Sequence, residues 1–473
     1  MKKSILCLAV FLAMISCKKQ ETPVAEEVAQ TQSITEVIEN AVIYEVNIRQ
    51  YSKEGTLGAF TKDIPELKKL GVKILWVMPI QPISFTKRKA TGDKSIEDIQ
   101  DPEERKKYLG SYYAISDYTA VHPDYGTLED FKNLVKTAHD NGMFVILDWV
   151  ANHTGWDHKW ITEHPEYYQK NAKGEVTDPI NPETGESWGW TDVARLLYDD
   201  QTTGLYQAMY DEMLYWVKET NIDGFRCDVA DNVNSKFWQY AIPKLRAEKP
   251  LFMLAESNKD YLLDGLFDMG YGWEAHHLMN DIAKGHRSVS DFDKLMQRLD
   301  SVYQKDDIMM NFTSNHDENS WNGTEYERLG EAVETFGALT YAMPGMPLIY
   351  NGQEYDFNRR LKFFEKDSIS HTPGKMFSVY QKLGKLKNEH PALNGGVNKA
   401  SYQRLSTSSE NILAFERKKD NQTLIFVANL SKEPTTFSIE LRGDFVEYMS
   451  AKPRSLTSSE ITFNPWEYWI LIN

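Results

Sequence analysis

The sequence predicts a closed eight-stranded α/β barrel, a (β/α)8 or TIM barrel, with a small domain inserted after strand 3 and a C-terminal all-β sandwich. Short apolar runs alternate with amphipathic helical stretches throughout residues 41–394. These runs are apolar on both faces, which is typical of parallel strands covered by helices. Eight strand–helix units fit in this region, and that favours a closed barrel over an open sheet. Residues 395–473 instead alternate apolar and polar positions, which indicates antiparallel strands.

The elements follow from these patterns in chain order. Thr127 and Asp130 form a capping pair before a helix that stops at Gly142, and the apolar stripe of residues 60–70 predicts an earlier helix. A connection rich in Trp, Pro, Gly and Asp, residues 152–203, is predicted to form the inserted domain and a wall of the substrate site. The predicted strands lie in the apolar runs 42–48, 72–79, 143–150, 222–229, 251–256, 266–270, 308–317 and 346–352.

The amino terminus indicates export. Residues 1–16 have a cationic start and an apolar run too short to span a bilayer, as in a secretory signal. Met14-Ile15-Ser16-Cys17 resembles the lipobox of bacterial lipoproteins, which predicts lipidation of Cys17. Residues 17–40 are expected to form a flexible tether. The predicted location is extracytoplasmic, with a lipid anchor in the outer membrane on a side that the sequence leaves undecided.

The charge restricts the partners. The chain has 53 Lys and Arg against 69 Asp and Glu, a formal net charge of −16. So acidic a surface repels phosphate backbones, which excludes nucleic acid as an expected partner and leaves the lipid anchor as the only membrane contact. Association with other proteins is left unknown. Cys227 would be the only thiol of the mature chain apart from acylated Cys17, so no intrachain disulfide is expected.

Four carboxylates mark a candidate active site. Asp148, Asp228, Glu256 and Asp317 each follow or end an apolar run, and barrel enzymes place their chemistry at the carboxyl ends of strands. Arg226 shares a strand face with Asp228 and would keep it ionised, whereas the apolar run before Glu256 favours a raised pKa. Two such carboxyl groups are the minimum apparatus for glycosidic bond cleavage.

The same residues resemble the α-amylase family of glycoside hydrolases, family 13. DWVANH (148–153), GFRCDVAD (224–231), Glu256 in LAES and TSNHD (313–317) match the four ordered family segments, and residues 111–127 match the stretch that carries a tyrosine, here Tyr113. The resemblance covers roughly residues 41–473.

The resemblance implies a role for each matched residue. Asp228 would be the nucleophile, Glu256 the general acid and base, and Asp317 would hold the 2- and 3-hydroxyls of the sugar. Arg226 would orient Asp228, and Asp148 would pair with Arg226. Retention of configuration is implied, with the carboxyls of Asp228 and Glu256 about 5–5.5 Å apart. His153 and His316 would form hydrogen bonds with sugar hydroxyls, and Tyr113 would provide a stacking platform for the sugar.

The implied activity is hydrolysis of mainly α-1,4 bonds in starch, glycogen or maltooligosaccharides through a covalent glycosyl-enzyme. An α-glucan transglycosylase and a cyclomaltodextrinase- or neopullulanase-like enzyme remain alternatives, because they would share every catalytic residue. A non-catalytic glycan-binding surface lipoprotein is a more remote alternative, since both catalytic carboxylates are present.

The chain departs from the family at the positions associated with calcium. Asn152 retains one ligand type, but the Lys-His pair expected after the nucleophile is Asp231-Asn232, and an expected acidic or amide residue is Leu197. Since a hard cation needs several oxygens, the usual calcium site is incomplete and no cofactor is expected to be required. The sequence does not establish whether four acids build a different site: Asp178, Asp192, Asp199 and Asp200.

Overall fold

The computed structural model describes residues 34–91, 94–181, 184–199, 203–457 and 460–473. The predicted signal, Cys17 and most of the predicted tether lie outside these residues. Within the described part of the chain, no helix is both long and apolar enough to cross a membrane.

Eight parallel strands form a closed barrel, as predicted, and pair in the order β1-β8-β7-β6-β5-β4-β3-β2. The pairs Ile43↔Leu348 and Val46↔Val77 show how β1 joins β8 and β2 and closes the barrel. Seven of the strands lie within a predicted run, and β6 extends one residue beyond the run predicted at 266–270. The strands are β1 Val42–Val46, β2 Val72–Val77, β3 Phe144–Trp149, β4 Gly224–Cys227, β5 Phe252–Ala255, β6 Met269–Tyr271, β7 Ile308–Asn311 and β8 Met346–Tyr350.

Helices surround the barrel and follow its strands. The predicted capping box is present, because Thr127 accepts from the Asp130 amide and Asp130 accepts in return. The helices are α1 Ile34–Val37, α2 Ile48–Tyr51, α3 Leu57–Thr61, α4 Ile64–Leu67, α5 Pro102–Arg105, α6 Leu128–Asp140, α7 Trp160–Glu163, α8 Thr203–Thr220, α9 Ser235–Glu248, α10 Asp260–Leu263, α11 Trp273–Lys284, α12 Val289–Val302, α13 Glu325–Leu329, α14 Val333–Ala342 and α15 Lys375–Glu389.

Two predictions, about the helix at residues 60–70 and about the end of the tether, need correction. The apolar stripe at residues 60–70 is buried, but it is divided among α3, α4 and a short 3-10 turn, because Pro65 starts a new helix. The predicted tether also extends too far, since Ile34 and Val37 in α1 are buried in the cluster that fills the barrel interior.

The insertion after β3 joins the barrel through a two-stranded antiparallel hairpin. Its strands, His153–Gly155 and Val193–Arg195, pair so that His153 lies opposite Arg195. The first strand follows β3 by only a few residues, which places the hairpin at the carboxyl ends of the barrel strands.

The C-terminal region is all-β, as predicted, with a six-stranded sheet, a separate two-stranded sheet and an apolar cluster of its own. It packs on α14: the Tyr468 hydroxyl donates to Glu334 at 2.9 Å, Thr335 donates to the Trp466 carbonyl, and Arg417 donates to the Ala342 carbonyl at 3.0 Å. Its strands are β9 Gln403–Arg404, β10 Ile412–Lys419, β11 Gln422–Asn429, β12 Thr435–Phe437, β13 Gly443–Glu447, β14 Lys452–Leu456, β15 Ile461–Phe463 and β16 Tyr468–Ile472.

Candidate active site

The four predicted carboxylates lie at the carboxyl ends of barrel strands. Asp148 is the last residue but one of β3, Asp228 and Glu256 directly follow β4 and β5, and Asp317 follows β7. Asp148 is fully buried and Asp228 nearly so, whereas the Asp317 side chain is 38% exposed. The site is therefore buried at Asp148 and Asp228 and open to solvent at Asp317.

Arg226 connects three of these carboxylates. Its Nη1 donates to Asp148 Oδ1 at 2.9 Å and to Asp228 Oδ1 at 3.1 Å. Its Nη2 lies 2.9 Å from Glu256 Oε2, without the alignment of a hydrogen bond. Its Nε donates to the Tyr271 hydroxyl at 3.1 Å. One fully buried guanidinium thus sets the relative positions of both candidate catalytic groups.

The backbone after β4 holds Glu256. Val229 has φ +36°, a left-handed conformation that a β-branched residue rarely adopts. This conformation directs the Val229 amide at Glu256 Oε2, and the nitrogen–oxygen distance is 2.7 Å. Cys227 is buried in the layer between strands and helices, as its alternation with Arg226 and Asp228 predicts.

Asp148 is saturated by donors from three strands or loops. Besides Arg226, Trp76 Nε1 donates to Asp148 Oδ2 at 3.0 Å, and the Tyr113 hydroxyl donates to the same oxygen at 3.2 Å. A buried carboxylate that accepts from three donors is held in one orientation. Asp148 therefore acts as a fixed counter-charge for Arg226.

His316 continues this network toward Asp317. Its Nε2 lies 2.8 Å from the Tyr113 hydroxyl and 3.4 Å from Asp317 Oδ2, and its Nδ1 lies 2.6 Å from Glu45 Oε1. Burial lowers the pKa of His316, but Asp317 and Glu45 outweigh burial and raise this pKa to about 9. An imidazolium at neutral pH donates from both nitrogens, so His316 presents a positive donor beside Asp317.

The pKa values of both candidate catalytic carboxyls are raised. Burial raises the pKa of Asp228, and repulsion from Glu256 adds to that effect while Arg226 opposes it. Burial also raises the pKa of Glu256, again opposed by Arg226. Two adjacent buried carboxyls repel each other when both are ionised, so their titrations are coupled.

His153 lies on the insertion side of the site. Its Nδ1 is 3.0 Å from Asn152 Nδ2, and its ring packs edge-on against Trp190 with centroids 6.0 Å apart. Burial lowers its pKa to about 3, with a further contribution from Arg195. His153 is therefore neutral where His316 is charged.

The structure thus brings together seven of the eight predicted barrel residues, and His153 belongs to the adjoining wall. The sequence did not predict the contributions of Glu45, Trp76 and Tyr271. An acid inside the buried strand β1 was the available signal for Glu45, because an ionisable group there needs a partner. In the sequence, nothing distinguishes Trp76 and Tyr271 from other aromatic core residues.

A closed α/β barrel with two carboxyls on one arginine and a third acid at its carboxyl end is an arrangement typical of enzymes that act on glycosidic bonds. Residues 39–261 match the family model described as alpha amylase, catalytic domain, and residues 402–470 match maltogenic amylase, C-terminal domain. This chain therefore contains a catalytic domain of the α-amylase family.

Three similar proteins illustrate the range of this family. Alpha-amylase MalA of Haloarcula japonica is 24% identical over 88% of this chain, which spans 59% of that relative's length. An alpha-1,4-glucan:maltose-1-phosphate maltosyltransferase of Cereibacter sphaeroides is 29% identical over 46% of this chain and 36% of its own length. The crystal structure of a noncanonic maltogenic alpha-amylase, AmyB from Thermotoga neapolitana, is 25% identical, with a TM-score of 0.79 over 92% of this chain and 99% of that one. Hydrolases and transferases thus share this architecture.

Proposed function

We propose that this protein is a retaining glycoside hydrolase that cleaves mainly α-1,4-glucosidic bonds in starch, glycogen or maltooligosaccharides. The observation that carries the proposal is Arg226, whose guanidinium contacts both Asp228 and Glu256. This arrangement holds a nucleophile and a proton donor on the two nitrogens of one guanidinium. The expected separation of their carboxyls, about 5–5.5 Å, is that of a retaining pair.

The proton of the pair is assigned to Glu256. Asp228 accepts an aligned hydrogen bond from Arg226 Nη1, as an anionic nucleophile would, whereas Glu256 has only a charge contact with Nη2. Glu256 Oε2 accepts the Val229 amide, which leaves Oε1 to carry the proton. The state before catalysis is then an anionic Asp228 and a neutral Glu256.

The reaction then has two displacement steps. In the first step an Asp228 oxygen bonds to the anomeric carbon, the bond to the leaving oxygen breaks, and Glu256 transfers its proton to that oxygen. In the second step Glu256 removes a proton from water, the water oxygen bonds to the anomeric carbon, and the bond to Asp228 breaks. The proton returns to Glu256 and configuration is retained.

The other residues bind and orient the sugar. Asp317, the most exposed of the four acids, is placed to accept the 2- and 3-hydroxyls, and protonated His316 beside it supplies a donor. His153 donates to a hydroxyl from the opposite wall. The Tyr113 ring, stacked against the His316 ring at 5.5 Å, is the proposed platform, while its hydroxyl fixes Asp148.

The test is a substrate series with time-resolved product analysis on soluble starch, pullulan, cyclodextrins and maltooligosaccharides. Reducing ends of initial α configuration are expected from the wild type. D228N and E256Q are expected to lose at least about 10²–10⁴-fold in turnover while they remain folded. Undiminished activity in either variant, or β-configured products, would refute the assignment.

Transfer is the second candidate, and it is favoured specifically by the maltosyltransferase relative. The same glycosyl-enzyme would react with a sugar hydroxyl in place of water. Disproportionation of maltotriose into longer chains would indicate transfer, and cleavage of cyclodextrins ahead of starch would indicate a cyclomaltodextrinase-like preference. Glycan binding without turnover in the wild type would indicate the non-catalytic scaffold.

We further propose export and lipidation at Cys17, which lies outside the described residues. Cys17→Ala should shift the protein from the membrane fraction to the soluble extracytoplasmic fraction and abolish incorporation of labelled fatty acid. Membrane retention and labelling in that variant would contradict the proposal.

A further inference from the structure

Arg195 ties the insertion to the barrel. It ends the second hairpin strand, opposite His153. Its Nη1 donates to Asn152 Oδ1 just beyond β3, and its Nη2 donates to the Asn232 carbonyl just beyond β4. One side chain therefore joins the insertion to the ends of the two strands that carry Asp148 and Asp228.

Neutral oxygens alone hold this guanidinium. Among the described residues, no Asp or Glu forms a salt bridge with Arg195. Burial lowers its pKa to about 10, so the group stays a cation at neutral pH. A buried cation held by an amide oxygen and a backbone carbonyl has the donor chemistry of a bound calcium ion.

The residues present do not fit calcium itself. Asn152 Oδ1 and the Asn232 carbonyl, the two oxygens at family calcium positions, already bind the guanidinium. Leu197 supplies no side-chain oxygen, and the described residues contain no group of three or more His, Cys, Asp or Glu that could hold a metal ion. A divalent ion would also meet the positive charge of Arg195.

We propose that Arg195 is a built-in cation that takes the place of calcium at the insertion–barrel junction and positions His153 for the substrate. The disagreement between this junction and a calcium site is the basis of the proposal. It rests on the proposed function only for the role of His153, because the structural role stands on the described contacts alone.

Arg195 acts on His153 through the side chain of Asn152. Because Arg195 donates to Oδ1, the amide of Asn152 is oriented with Nδ2 toward His153 Nδ1, 3.0 Å away. That nitrogen must then accept, so the proton of the neutral imidazole is on Nε2. Arg195 is thus a positioning residue, two contacts away from the sugar.

The first test needs no substitution. The wild-type unfolding midpoint and activity are measured after exhaustive treatment with EGTA and again in excess calcium. Both values are expected to be the same in the two conditions. A fall of the unfolding midpoint in EGTA that calcium restores would overturn the proposal, whether or not α-glucan is the substrate.

The second test compares R195M and R195K with R246M as the matched control. Arg246 is also partly buried and bonds a side chain, Asp268, at 2.7 Å and the Leu251 carbonyl, but these contacts lie before β5 and β6, far from the site. R195M is expected to lower the unfolding midpoint by several degrees and raise KM several-fold, and R195K to recover part of both. R246M is expected to lower the midpoint without changing KM. Equal KM values in R195M and wild type would overturn the positioning role.

Discussion

Asp148→Asn gives the sharpest test of the proposed electrostatics. The substitution keeps the shape of a fully buried side chain that contacts Arg226, Trp76 and Tyr113. An asparagine has one acceptor oxygen, so either Arg226 or the Trp76–Tyr113 pair must face an NH2 donor. Loss of one partner from a buried ion pair costs about 3–5 kcal/mol of unfolding free energy.

The pH profile separates this effect from simple destabilisation. Burial raises the pKa of Asp228, and the negative charges of Glu256 and then Asp148 raise it further. Because Asp228 and Glu256 titrate as a coupled pair, we expect loss of the Asp148 charge to lower the pKa at which the pair releases its proton. Glu256 then loses its proton at lower pH, so the alkaline limb of kcat/KM should move to lower pH.

The assay is chemical denaturation combined with kcat/KM across the pH range in which the variant stays folded. Asp268→Asn is the matched control, because Asp268 also pairs with an arginine and accepts a backbone amide, yet lies at the opposite end of the barrel. It should lower stability and leave the pH profile unchanged. The reasoning fails if D148N has the wild-type alkaline limb, or if D268N moves that limb equally.

Two further predictions concern stability. The raised pKa of His316 means that its stabilising contribution is complete below pH 6.5 and is lost as pH rises through about 9. H316Q should therefore remove roughly 3 kcal/mol of pH-dependent unfolding free energy from that window, and an unaltered pH dependence would contradict the ion cluster. Gly224→Ala would place a Cβ 1.8 Å from the Phe252 carbonyl, so β4 and β5 must separate at a cost of about 3 kcal/mol, whereas Gly58→Ala, with no atom within 4 Å, should be neutral in the same denaturation assay.

The barrel could be predicted because each of its strands is buried on both faces and reads as a continuous apolar run. The acids at the ends of these runs could be placed together because the carboxyl ends of all barrel strands lie at the same end of the barrel. The helical stripe at residues 60–70 was misread as one helix because apolar spacing does not register the break that Pro65 imposes. Pairings set by tertiary register were not predictable, and Arg195 is the clearest example: its partners depend on which residue of the hairpin lies opposite His153.

The packing of the C-terminal sheet on α14 has a consequence for engineering. Nine of the ten residues of α14 are buried, and its outer side is bonded to Tyr468, Trp466 and Arg417. A truncation before residue 402 would expose to water the face of α14 that packs against the C-terminal sheet. Barrel and tail should therefore melt in a single calorimetric transition, and a tail borrowed from a relative would need the matching α14 transplanted with it.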